Sequence, residues 1–127
     1  MDTYETLSDA RRRRIVELLA EGERSSGSIT AVIRAEFGIS QPAVSQHLRA
    51  LRDSGLATVR AEGTRRIYRL ERAPLDEMDA WLHRVGRLWE HRLDALGTEL
   101  ARGRRAARRD EASRESERAS DHQAKGA

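Results

Sequence analysis

Around residue 45 the chain carries side chains whose type and spacing suit one kind of chemistry. With Val44 set at 0° and about 100° per residue, Pro42, Ser45, Gln46 and Arg49 fall between about 100° and 200° on a helical wheel. That face lies opposite the apolar seam Val44, Leu48 and Leu51. An arginine fork matches guanine O6 and N7, a glutamine amide matches adenine N6 and N7, and a serine hydroxyl donates or accepts. Gln41 and His47 flank the face, and Ser40 precedes it as an N-cap. Surface helices also carry such residues without any partner, so the face alone does not decide for DNA.

Nucleophilic catalysis fits poorly. Ser45 and His47 are i, i+2 neighbours, which point to different sides of a helix and cannot form a nucleophile–base pair. The chain has no G-x-S-x-G, no phosphate-cradling glycine loop and no H-E-x-x-H. It has no cysteine, which excludes disulfides, thiolate metal sites and thiol nucleophiles. The expectation is a protein that is not an enzyme and needs no cofactor.

The elements that must position this face follow from the flanking pattern. A short leading helix is expected within 2–7. A second helix begins after Ser8 as N-cap, repeats Ile15, Leu18 and Leu19 at helical spacing, and ends near Gly22. The run Arg11–Arg14 splays around that helix, as a solvated, salt-bridged surface would. Residues 22–27 read as loop, and Ile29, Val32, Ile33 and Phe37 continue a helical stripe. Phe37-Gly38-Ile39-Ser40 then reads as helix stop, tight turn and new cap, with Pro42 tolerated in the first turn of a helix over 41–54. Two helices joined by a short glycine-containing turn make a helix-turn-helix.

Directly after it, Leu56–Arg60 and Arg65–Leu70 read as two strands around an Ala61-Glu62-Gly63-Thr64 turn. Arg60, Arg65, Arg66 and Arg69 lie on or near this hairpin, so the order of elements is that of a winged helix, whose wing (56–70) runs along phosphates. From Pro74 a long helix follows. Leu75, Met78, Leu82, Val85, Trp89, Leu93, Leu96 and Leu100 form a near-heptad seam, widened by Trp81 and Leu88 and interrupted by Gly86. That stripe is wider than one small core needs and is expected to pair with a second copy of the chain, through residues 74–100.

Composition agrees. The 127 residues suit one domain, expected over 1–100. Net charge is +3, but 1–101 is neutral, and the excess sits in 102–127, with 8 basic and 5 acidic residues. Within the neutral part, 40–72 carries 7 basic against 3 acidic residues, the signature of one polyanion-binding segment. Residues 101–127 offer no aliphatic side chain larger than alanine and are expected to form a basic tail, disordered or frayed-helical. No apolar run approaches the ~20 residues of a membrane span, and MDTYETLSDARRRR lacks a signal-peptide core. A cytoplasmic protein without membrane partners is expected.

Taken together, SDARRRRIVELLAEGE (8–23), ISQPAVSQHLRALRDSGL (39–56), VRAEGTRRIYRL (59–70) and WLHRVGRLWEHRLDAL (81–96) resemble the ArsR-type, arsenic-repressor-like winged-helix transcriptional regulators of bacteria. The resemblance covers about 5–100. It implies a mainly α fold with a small β-hairpin, a homodimer built through terminal helices, and repression at an inverted-repeat operator in double-stranded DNA on the bacterial nucleoid. It places Gln41, Ser45, Gln46, His47 and Arg49 at the major groove and Arg65 and Arg66 on the wing. It also implies an inducer, of unknown identity. The family's cysteine sensor is absent: SSGSITAVIRAEF (25–37) holds neither Cys nor His. The family's other metal site, across the terminal helices, is matched only in its second half.

The residues available for that site are Asp79 with His83 and His91 with Asp94, at i, i+4 and i, i+3 spacing. Across two antiparallel helices they would offer the N/O donors that suit Zn²⁺ or Ni²⁺. Rim salt bridges and solvated imidazoles account for the same residues, and no metal site is assigned. The alternatives to a DNA-binding repressor are therefore a Zn/Ni-responsive one sensing through those helices, or a winged-helix module for protein or RNA contacts.

Overall fold

The computed structural model describes residues 1–125, with side chains through Asp121. Residues 126 and 127, the last of the expected tail, lie outside the described residues. The chain divides into two units, Met1–Leu82 and His83–Ala127. The first contains α1 (Thr3–Thr6), α2 (Ala10–Ala20), β1 (Arg24–Ser25), α3 (Ser26–Phe37), α4 (Gln41–Asp53), β2 (Ala57–Glu62), β3 (Arg65–Leu70) and the start of α5 (Ala73–Lys125).

Helices α1 to α4 each begin where a side chain satisfies an orphan amide. The Asp9 carboxylate accepts from the Arg11 amide at 2.8 Å, Ser25 Oγ from Ser28 at 3.1 Å, and Ser40 Oγ from Ala43 at 3.3 Å. The cap of α2 is thus Asp9 and not the expected Ser8, whose hydroxyl donates to the Glu5 carbonyl instead and closes α1. Helix α3 stops at Gly38, which takes φ +66°, a left-handed conformation open to glycine at little cost. Two residues later Ser40 starts α4, so this turn sets the angle between the two helices.

Ile15, Leu18 and Leu19 of α2, Ile29 and Ile33 of α3, and Val44, Leu48 and Leu51 of α4 are buried together with Leu56, Ala57 and Tyr68. All three residues of the seam expected in α4 are buried, which turns Ser45, Gln46 and Arg49 to solvent. Each fully buried aliphatic side chain contributes about 1.5–3 kcal/mol through the water it sheds. No buried side-chain polar atom lacks a partner among the described residues.

The sheet has three strands in the order β1-β3-β2, all antiparallel. The hairpin is tight: Glu62 pairs with Arg65 across Gly63, at φ +62°, and Thr64. The strand β1, in the segment expected as loop, pairs Arg24 with Tyr68 and Ser25 with Ile67. Two residues carry no period, so only their partner across the sheet makes them a strand.

Leu75, expected at an interface between chains, packs partly buried against the core of its own unit. Nearby, Tyr4 and Trp81 meet edge to face with ring centroids 5.5 Å apart, fixing α1 against the first turns of α5.

The second unit is helical through Lys125. The segment expected as a disordered or frayed-helical tail is helix as far as it is described, and residue 100 lies within this unit. Alanine, arginine and glutamate dominate 101–118, and these are among the best helix formers. No helix of the described residues is long and apolar enough to cross a membrane.

Candidate nucleic-acid interface

The arginines of the first unit sort into two sets by their partners. On the side of α2 and of the loop before β1 they are neutralised. Arg11 bonds Asp9 at 3.1 Å, Arg14 bonds Glu36 at 2.9 Å and Glu17 at 3.3 Å, and Arg24 bonds Glu21 at 3.2 Å. Arg60 bonds Glu23 at 2.6 Å and Glu62 at 3.3 Å. These carboxylates hold the Arg14 and Arg60 guanidiniums above their ordinary range, and Arg14 in turn holds Glu36 below its own. The run Arg11–Arg14 is accordingly a bonded surface, with Arg13 donating to the Leu7 carbonyl at 2.8 Å.

Arg34, Arg49, Arg52, Arg65, Arg66 and Arg69 are exposed and form no ion pair among the described residues. Four of the six line one cleft of about 510 Å³ between α3, α4 and β3: Arg34, Arg49, Arg52 and Arg66. Ser26 and Thr30 of α3, Gln41 and Ser45 of α4, and Tyr68 of β3 complete its walls. Such a cleft presents positive charge with no internal counter-charge, beside a helix face bearing amide, hydroxyl and guanidinium groups. Polyanion attraction and base-edge hydrogen bonding are what that arrangement offers.

The structure brings Gln41, Ser45, Arg49 and Arg66 together at the cleft, and Gln46 stands exposed beside them. Ser40 is occupied as the cap of α4. His47 turns the other way: its Nδ1 accepts from Arg12 Nε at 3.1 Å, which ties it to α2. Partial burial, with Arg12 and Arg11 nearby, holds its pKa below the usual imidazole value, while Asp9 pulls it upward. Arg65 and Arg66 are successive residues of a strand and point to opposite faces of the wing. Only Arg66 shares the cleft.

Arg34 and Arg52 were not among the residues picked out from sequence. On the wheel of α4, Arg52 falls at about 80°, just outside the window that captured Arg49. Arg34 belongs to another helix, and no spacing along the chain could have paired it with α4.

Asp79, His83, His91 and Asp94 all lie exposed on α5. No group of three or more such side chains gathers as a metal site among the described residues.

Comparison with known proteins bears on the same segment. Residues 9–59, from α2 into β2, match the family described as bacterial regulatory protein, arsR family. The chain is 41% identical over 68 residues to the HTH-type transcriptional regulator Rv2034 of Mycobacterium tuberculosis, covering 54% of this chain and 60% of that one. It is 36% identical over 72 residues to the arsenical resistance operon repressor of Staphylococcus aureus, covering 57% of this chain and 65% of that one. The match thus spans less than two thirds of the length of either relative. Among solved structures, the homodimeric winged helix-turn-helix DNA-binding domain of a Mycobacterium bovis protein superposes with a TM-score of 0.50 at 33% identity, covering 65% of this chain and 72% of that one.

Proposed function

This chain belongs to the arsR family of bacterial regulatory proteins, and on that premise we propose that it is a sequence-specific DNA-binding transcriptional repressor acting as a homodimer in the cytoplasm. In this reading α4 enters the major groove of double-stranded DNA, where Gln41, Ser45, Gln46 and Arg49 meet base edges. Arg34, Arg52 and Arg66 engage the phosphates on either side and set the register. The observation that carries the reading is the unpaired arginine cluster around the exposed face of α4, while Arg11, Arg14, Arg24 and Arg60 on the same unit are bonded to carboxylates. A surface designed only for solubility would gain from carboxylates there as well.

The homodimer rests on α5. Trp89 is 66% exposed and Leu88 70%, and Val85, Leu93, Leu96 and Leu100 are exposed with them. A contiguous apolar stripe of that kind marks an interaction surface, and the similar Mycobacterium bovis domain is described as homodimeric. A two-fold dimer calls for an inverted-repeat operator with half-sites about one helical turn, or ~34 Å, apart. Repression follows from occupancy of such a site; the Staphylococcus aureus relative is named a repressor.

The test is selection of bound sequences from a random duplex pool, followed by titration of the recovered site against a scrambled one at several salt concentrations. The expected result is an inverted repeat bound at least about a thousandfold more tightly than the scrambled duplex. Equal affinity for the two would leave a general polyanion-binding module instead.

A further inference from the structure

On α5 the second unit carries a cluster of charge that recognition by α4 does not use. Residues 102–109 read RGRRAARR, with five arginines and no acidic side chain, whereas 110–121 carries five acidic residues against two basic. The whole segment is helical, and Arg102, Arg104, Arg105, Arg108 and Arg109 are exposed. None of the five forms an ion pair among the described residues. Glu99 lies three residues before Arg102 and Glu111 three after Arg108, yet neither pair closes.

Helical geometry then sorts these arginines. With Arg102 at 0°, Arg105 falls at about 300° and Arg109 at about 340°, a single ridge about 60° wide. Val85, Leu88, Trp89, Leu93, Leu96 and Leu100 occupy about 40–180° on the same wheel, so Arg105 and Arg109 stand on the opposite side of the helix from the apolar stripe and Arg102 just outside its edge. A second copy covering that stripe leaves the ridge open to solvent. The arrangement also works against the helix itself. Arg105–Arg109, within the ridge, is a like-charge i, i+4 pair, which is unfavourable, and a polyanion bound on the ridge relieves it.

We propose that the arginine ridge of 102–109 is a second, sequence-independent DNA contact, binding the phosphate backbone outside the sequence that α4 reads. The inference rests on the proposed role in DNA binding for the identity of the polyanion. Its own basis is separate: regularly spaced, unpaired cations on one side of a helix match a line of phosphates and carry no donor or acceptor pattern for bases. Acidic residues from Asp110 onward limit the contact to about two turns of helix.

The experiment compares the full chain with a variant carrying Arg102→Gln, Arg105→Gln and Arg109→Gln, which keep helix propensity and length. Each is titrated by fluorescence anisotropy with a minimal selected site, the same site with about fifteen flanking base pairs on each side, and a scrambled long duplex, at about 50 and 200 mM salt. The wild type should bind the long duplexes about tenfold or more tightly than the variant at low salt, with a steeper salt slope, and the gap should close at high salt. Binding to the minimal site should differ little. Equal affinities of wild type and variant for the long duplexes at low salt would overturn the proposal. So would a ridge that gains nothing from flanking DNA yet binds polyglutamate in a manner lost in the variant, since the partner would then be an acidic protein. Loss of preference for the selected site through Arg49→Ala, with the flank effect intact, bears on α4 alone and leaves the ridge standing.

Discussion

His47 of α4 accepts a hydrogen bond at its Nδ1 from Arg12 Nε of α2, at 3.1 Å. That bond ties α4 to the helix it packs on, the helix-packing role that His47 could take. Asp9 and Arg11 flank the pair, and the Asp9 carboxylate bonds Arg11 at both backbone and guanidinium.

The first prediction is a pH dependence of stability. Burial foremost, then Arg12 and Arg11, depress the folded-state pKa of His47 below 6.5. A depressed imidazole pKa means the unfolded chain takes up its proton first. The stabilisation is therefore complete above 6.5 and is lost as pH falls through the folded value. Protonation at Nδ1 also removes the acceptor that Arg12 uses. The melting temperature of the wild type should fall more steeply between neutral and mildly acidic pH than that of His47→Asn. Parallel pH profiles for the two proteins would disprove the linkage.

Base reading should separate from backbone contact. Arg49→Ala and Gln46→Ala should each weaken binding to the selected site by about 1–3 kcal/mol and relax its sequence. Arg66→Ala, Arg34→Ala and Arg52→Ala should weaken selected and scrambled duplexes alike and shallow the salt slope by about one unit each. Arg60→Ala should change DNA binding little, because Glu23 and Glu62 already hold that guanidinium. Titrations across a salt series read all six variants. An Arg60→Ala loss equal to that of Arg66→Ala would contradict the sorting of arginines by partner.

The turn between α3 and α4 depends on one backbone conformation. Gly38 sits at φ +66° with open space where a Cβ would go, so the penalty for Gly38→Ala is conformational and not steric contact with neighbours. About 1–2 kcal/mol of stability should be lost, read as a lower urea midpoint at unchanged slope. Gly27→Ala makes the control, since it meets nothing within 4 Å and no left-handed conformation is required there.

Assembly should fail when charge enters the α5 stripe. Trp89→Glu or Leu93→Glu should give a monomer by light scattering and weaken binding to an inverted repeat far more than to a single half-site. Neither residue packs in the core of Met1–Leu82, so the fold of that unit should survive, with its circular dichroism melt retained. A dimer persisting in both variants would place the interface elsewhere.

The chain has no cysteine, so thiophilic ions have no thiolate to capture. Arsenite, antimonite and cadmium should leave the complex with DNA intact, and binding should persist in chelator. Zn²⁺ and Ni²⁺ are the discriminating additions. A shift of tenfold or more with either ion, abolished by His83→Ala or His91→Ala, would assign α5 a sensing role.

The pattern of residues alone determined the helix-turn-helix, its hairpin and the orientation of α4. The seam Val44, Leu48 and Leu51 can be buried only with Ser45, Gln46 and Arg49 outward, and a left-handed glycine between two helical stripes leaves few other turns. These are local constraints, set by side-chain period and backbone sterics within a few residues. Tertiary structure decided what depends on partners distant in sequence. Arg24 and Ser25 become a strand only beside Tyr68 and Ile67. Arg60 and Arg66 read alike along the wing, yet Glu23 neutralises one while the cleft receives the other. His47 turned from candidate reader to scaffold because Arg12, thirty-five residues earlier, lies within hydrogen-bond reach. Electrostatic pairing acts through space, so the charge available to a ligand is the charge left after the fold has matched its own ions.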